Sequence, residues 1–294
     1  MKFIFVSLLF FFSISSSVAT ELGAKLSFEH TLVDSAGPRS PWAKGAGDLN
    51  NDGLIDIVVG GHQPNIPTIP QKILRKLGLW TNEGVRGDLV WYQNPTWDKR
   101  LISSQFAVRT SLRVADINGD EHNDVVIVSD KGLFWLKNPG SINDQSQWPS
   151  YIVDAQKFHD VEVHDLDGDG YLDIVARNQS LFKHNNGDSL YLYYQDRKAG
   201  WDKVVIPISH GEGLKLAKID ADGSIDIVVN DMWFKNPGRS NRRLWVPHKY
   251  TNSWEWQDVN IDVGDVNNDG RNDIVLAPSE EEGQYYRISW FESP

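Results

Sequence analysis

Four kinds of short segment recur along the chain in a fixed order. The first alternates apolar and polar residues, as in VEVHD (Val161–Asp165) and NIDVGD (Asn260–Asp265). An acidic turn follows, and then an apolar run such as IVVG (Ile57–Gly60) or IVAR (Ile174–Arg177). The next segment is aromatic and often closes on Asn-Pro: LVWYQNP (Leu89–Pro95), LFWLKNP (Leu133–Pro139) and MWFKNP (Met232–Pro237). LYLYYQD (Leu190–Asp196) and ISWFESP (Ile288–Pro294) take the same place. The last segment opens on tryptophan: WDKRLI, WPSYIV, WDKVVI and, more loosely, WVPHKY. Period-two alternation and short β-branched or aromatic runs predict strands. Each repeat therefore reads as four strands, A to D, with the acidic turn between A and B.

The acidic turn occurs five times: DLNNDGLIDIV from Asp48, DINGDEHNDVV from Asp116, DLDGDGYLDIV from Asp165, KIDADGSIDIV from Lys218 and DVNNDGRNDIV from Asp265. The first positions, 48, 116, 165, 218 and 265, lie 68, 49, 53 and 47 residues apart. That spacing fits one four-stranded propeller blade per repeat. The fold predicted is all-β, a five-bladed β-propeller. Its fifth blade stops after strand C, and FEHTLVDS (Phe28–Ser35), which resembles WDKRLISS, is expected to supply the missing strand D and cover an exposed edge. The alternative is a fragment of a seven-bladed propeller. The start, MKFIFVSLLFFFSISSSVA, predicts a signal peptide at 1–19: one Lys, an apolar run too short to span a bilayer, then small residues. Residues 20–294 are expected to form a single domain, secreted or periplasmic.

Composition sharpens this picture. With no cysteine, an exported fold needs some other lock. The formal charge of −11, or −12 without Lys2, argues against nucleic acid or anionic lipid as partners, and no later segment is apolar enough for membrane insertion.

The turn itself suggests chemistry. Calcium takes six to eight oxygens, and side chains at positions 1, 3 and 5 of a tight turn converge on one ion, with Gly at position 6 allowing the bend. A backbone carbonyl near position 7 and an Asp at position 9 complete the shell. About four calcium sites are thus expected: Asp48, Asn50, Asp52 and Asp56; Asp116, Asn118, Asp120 and Asp124; Asp165, Asp167, Asp169 and Asp173; Asp265, Asn267, Asp269 and Asp273. Glu121 replaces the Gly in the second copy. Lys218 replaces the first Asp in the fourth, where it is expected to repel a cation and to neutralise Asp220 and Asp222 itself.

These repeats resemble the FG-GAP/VCBS family of calcium-binding β-propellers over nearly all of the mature chain. The HDV–loop–DIVARN run and the WYQNP and WFKNP strands look like the propeller part of aldos-2-ulose dehydratase-like proteins. The family resemblance implies the fold and the calcium, and leaves function open.

Function is expected on the face opposite the acidic turns, where D–A turns and B–C loops meet. Two B–C loops are long, Gly61–Gly87 and Asn178–Ser189. Trp42, Lys44, Arg109, Asp160, His210, Glu212 and Asp258 are the candidate ligand-binding residues, with Trp80 a lesser one. Trp42 is suited to stack on a sugar face. Arg113, Glu162, Lys215 and Asp262 fall at equivalent strand-A positions and are expected to pair around the axis. The sequence contains no nucleophile motif, phosphate loop or zincin motif. The favoured reading is a calcium-stabilised module binding carbohydrate or protein at the cell exterior. The alternative is a carbon–oxygen lyase or dehydratase acting on a sugar or polysaccharide, with His159 as base and a further transition metal among His62, His159, His184 and His210.

Overall fold

The alternating and apolar segments do form antiparallel strands, and the sheets they build are contiguous in sequence. The computed structural model describes residues 29–62, 87–141, 147–178, 187–196, 200–279 and 286–293. The leader at 1–19, Trp80, His184 and most of both long B–C loops lie outside the described residues.

The first sheet holds β1 (Ala43–Gly47), β2 (Asp56–Gly60), β3 (Gly87–Gln93) and β4 (Asp98–Phe106) in that order. The second holds β5 (Val108–Ala115), β6 (Asp124–Ser129), β7 (Gly132–Leu136) and β8 (Ser150–Asp154). The third holds β9 (Phe158–His164), β10 (Asp173–Asn178), β11 (Ser189–Asp196) and β12 (Gly200–Pro207). The fourth holds β13 (Lys215–Ala217), β14 (Asp226–Val229), β15 (Met232–Lys235) and β16 (Val246–Lys249). The fifth has three strands, β17 (Val259–Gly264), β18 (Asp273–Pro278) and β19 (Ser289–Phe291). Successive meanders of this kind form a β-propeller-like fold.

The core lies between consecutive sheets rather than within one. Val58, Leu89 and Trp91 of the first sheet pack on Leu112, Val125 and Ile127 of the second. Comparable clusters join the second sheet to the third, the third to the fourth and the fourth to the fifth. The B strands are therefore covered on both faces, which explains their apolar runs: every residue of β6 is buried. The first two A strands approach so closely that a Cβ on Gly45 would lie 2.4 Å from Leu112 Cδ1.

One expectation needs correcting. Residues 29–35 form no strand, so among the described residues nothing completes the fifth sheet. The end of this segment is instead fastened to the first sheet: Asp34 accepts hydrogen bonds from Tyr92 Oη at 2.7 Å and Lys99 Nζ at 2.9 Å. Asp154, at the end of β8, grips the third sheet in the same way through Tyr193 and Lys203.

Candidate functional site

The five acidic turns share one architecture. The first Asp folds back over its own loop: Asp165 Oδ1 accepts from Gly168 N and Oδ2 from Gly170 N, both at 2.8 Å. Asp48, Asp116 and Asp265 do the same. Position 3 receives the N–H of position 5, and position 5 that of position 7, as in Asp167 to Asp169 and Asp169 to Tyr171. Position 6 is left-handed throughout, with φ of 83° at Gly53, 87° at Gly170 and 88° at Gly270. Glu121 adopts the same region at 68°, strained for a residue with a Cβ.

The Asp at position 9 has a structural duty that the sequence reading missed. It is buried, and its two oxygens clasp two backbone amides. Asp173 accepts from Leu166 N at the loop and from Gln195 N at the end of strand C, both at 2.9 Å. Asp56, Asp124 and Asp273 repeat this clasp. So does Asp226, in the copy that lacks the first Asp. Burial pushes the Asp124 and Asp173 carboxyls up to about 7 against the pull of these amides, and the neighbouring loop acids add to the rise.

The third loop fits a divalent cation on its donor chemistry. Oxygens of Asp165, Asp167 and Asp173 lie within 4.8 Å of one another, a spread suited to hard-oxygen ligation at about 2.4 Å from a central ion. The Asp167 side chain is only 2 % exposed, and its Oδ2 contacts the Arg242 guanidinium. The expectation for the fourth loop changes in one respect. Lys235 at the end of β15, not Lys218, neutralises Asp220 and Asp222.

The opposite face splits into two groups. In one, His159 lies between two carboxylates, with Nδ1 3.2 Å from Asp160 and Nε2 3.1 Å from Glu212. Burial opposes a charged ring, but Asp160 and Glu212 outweigh it and hold the imidazole above its usual pKa. Arg177, fully buried, donates to the carbonyls of Gly187, Ser209 and Gly213, and burial draws its guanidinium down to about 10. Asp160 also accepts from Gly213 N, while the main chain of Glu212 forms a parallel β-bridge with that of Asp258. With both ring nitrogens engaged by carboxylates, this geometry suits an ionic clamp between sheets. His210 sits half-buried on the same turn.

The second group is Trp42, His62, Lys44 and Arg109. Trp42, 59 % exposed, stacks on His62 with centroids 5.3 Å apart. Lys44 Nζ donates to the Trp42 carbonyl. His62 Nδ1 and Arg109 Nε are buried without hydrogen bonds. On the A strands the expected pairs form, Arg113 with Glu162 and Lys215 with Asp262, along a cavity of about 660 Å³.

A third feature went unnoticed in the sequence, where the strand-C tryptophans read as blade filling. Between the second and third sheets, on the acidic-turn side, lies a groove of about 520 Å³. One wall is Trp135 stacked on Tyr151, with centroids 4.6 Å apart and planes 18° apart. Tyr171 and Trp201 also line it, with Asn118, Gln195 and Asp196 as polar neighbours. Asn118 Nδ2 is buried without a partner.

Comparison with known proteins agrees with the repeat. Residues 116–176 match the FG-GAP-like repeat. No curated protein matches the chain. Among solved structures, the chain is similar to an Agrocybe aegerita lectin described as recognising non-reducing terminal N-acetylglucosamine, at 15% identity and a TM-score of 0.43, covering 79% of this chain and 73% of the lectin. It is also similar to the V. cholerae biofilm matrix protein Bap1, at 18% identity and a TM-score of 0.45, covering 82% of this chain and 34% of that protein. Among the described residues no helix is long and apolar enough to cross a membrane.

Proposed function

We propose that the chain is an exported binding module for carbohydrate, and that the groove between the second and third sheets holds the ligand. The stacked Trp135–Tyr151 wall carries this reading. A flat aromatic face matches the C–H face of a sugar ring, while amides and a carboxylate at its edge suit the hydroxyls. The Trp42–His62 stack, with two nitrogens lacking partners, supports a second contact surface on the other face. Calcium in the first, second, third and fifth loops would supply the rigidity that disulfides give other exported proteins. The leader-like start supports export. The carboxylates on both ring nitrogens of His159 weigh against the sugar-lyase alternative.

Glycan-array screening followed by calorimetry on Trp135→Ala and Trp42→Ala tests the assignment. Trp135→Ala is expected to weaken binding by about tenfold, with circular dichroism unchanged. Binding that survives Trp135→Ala but is lost in Trp42→Ala would move the site to the opposite face. Capture of a protein and no glycan would replace carbohydrate by protein as the ligand.

A further inference from the structure

The residue just before the one whose N–H the position-9 Asp accepts varies among the sheets: Gln93, Lys137, Tyr194, Lys235 and Glu292, with lysine in two of them. The side chains of Lys137, Lys235 and Glu292 reach the acidic loop of their own sheet. In the fourth sheet Lys235 Nζ contacts Asp220 and lies 2.8 Å from Asp222, so one ammonium joins positions 3 and 5. In the second sheet Lys137 Nζ lies 3.0 Å from Asp120. Both ammonium groups are held above the usual lysine pKa, first of all by these carboxylates. In the first sheet the same place is taken by neutral Gln93, and among the described residues neither Asp48 nor Asp52 pairs with a Lys or Arg. In the third, with Tyr194 there, Arg242 stands over that ring at 4.9 Å and contacts Asp167 instead. The ammonium and guanidinium groups thus lie against the carboxylates that the calcium reading names as ligands.

We infer that in the first, second and fourth loops this strand-C residue decides whether the loop takes a metal ion or carries its own cation, a part that Arg242 plays at the third loop and Arg271, 2.7 Å from Asp269, at the fifth. Lys235 serves the fourth loop as a built-in cation, Lys137 competes with metal at the second, and Gln93 leaves the first open. The inference rests on the calcium reading above, and the Asp220–Lys235–Asp222 bridge is the observation that prompts it. The cause is electrostatic: a divalent ion entering the second loop must displace an ammonium already on Asp120 and then tolerate it nearby. The third loop must likewise release Arg242. The loops should therefore fill in order, the first before the second and third, and the fourth not at all.

Calorimetric titration of the chelator-stripped full chain with calcium chloride tests this. Lys137→Gln, which copies Gln93, should tighten one site by about tenfold, while Lys137→Arg should leave the wild-type curve in place. Lys235→Gln should lower the melting temperature in chelator, because the fourth loop loses the ammonium that joins Asp220 to Asp222. The inference is overturned if the wild type binds calcium and Lys137→Gln changes no site. It is equally overturned if Lys235→Gln melts as the wild type does in chelator. A wild type that takes up no calcium would instead overturn the calcium reading itself, and this inference with it.

Discussion

At the residue scale, His159 shows how burial and charge combine. Its imidazole gains two acidic partners on folding, so its pKa is higher in the folded chain than in the unfolded one. The stabilisation is therefore fully present below the unfolded value of about 6.5 and is lost as pH rises through the folded value. His159→Gln should lower the melting temperature more at pH 6 than at pH 9; an equal loss at both would mean that the ring acts through packing alone. The sequence showed His159 and Asp160 side by side but not Glu212, which comes from the next repeat. The same limit applies to Lys218. It is adjacent to the fourth loop in sequence, whereas Lys235 is adjacent in space, across the sheet. Side chains that meet between strands are invisible to a reading along one strand.

At the element scale, the Asn-Pro ends of strand C were legible as a pattern, and their purpose was not. In the second, third and fourth sheets the carboxamide at this place ties its sheet to the one before. Asn138 Nδ2 donates to Leu49 O, Gln195 Nε2 to Ile117 O and Asn236 Nδ2 to Leu166 O, at 2.7–2.8 Å. A second carbonyl within the same sheet shares each amide: Asn123 O, Leu172 O and Ile225 O. Asn236→Ala removes both of these bonds and strands two carbonyls, at a cost of about 2–3 kcal/mol. Urea unfolding should show a lowered midpoint at an unchanged slope. A loss below a few tenths of a kcal/mol would mean water replaces the amide. Position 9 teaches a related lesson: spacing alone marked its Asp as a metal ligand, while the fourth copy, with Lys218 in first place, keeps the same clasp.

At the scale of the whole molecule, strand order and sheet membership could be read from the repeat, because each sheet is built from consecutive segments. The fate of residues 28–35 could not, since similarity to a D strand says nothing of what that segment pairs with. Burial is uneven around the sheets. All of β6 is covered, whereas every residue of β16 is exposed and β19 is short and half-open. Hydrogen exchange should therefore be slowest in β6 and fastest in β16 and β19. Uniform protection across the five sheets would contradict this gradient.

The carboxamide ties also have a direction. Each of these amides belongs to a later sheet, and one of the two carbonyls it seizes belongs to the sheet before. A chain that emerges amino end first, from a ribosome or through an export pore, always presents the acceptor before the donor. The second, third and fourth sheets thus each find their predecessor's docking point already waiting, and this part of the molecule can be assembled like masonry, course upon course.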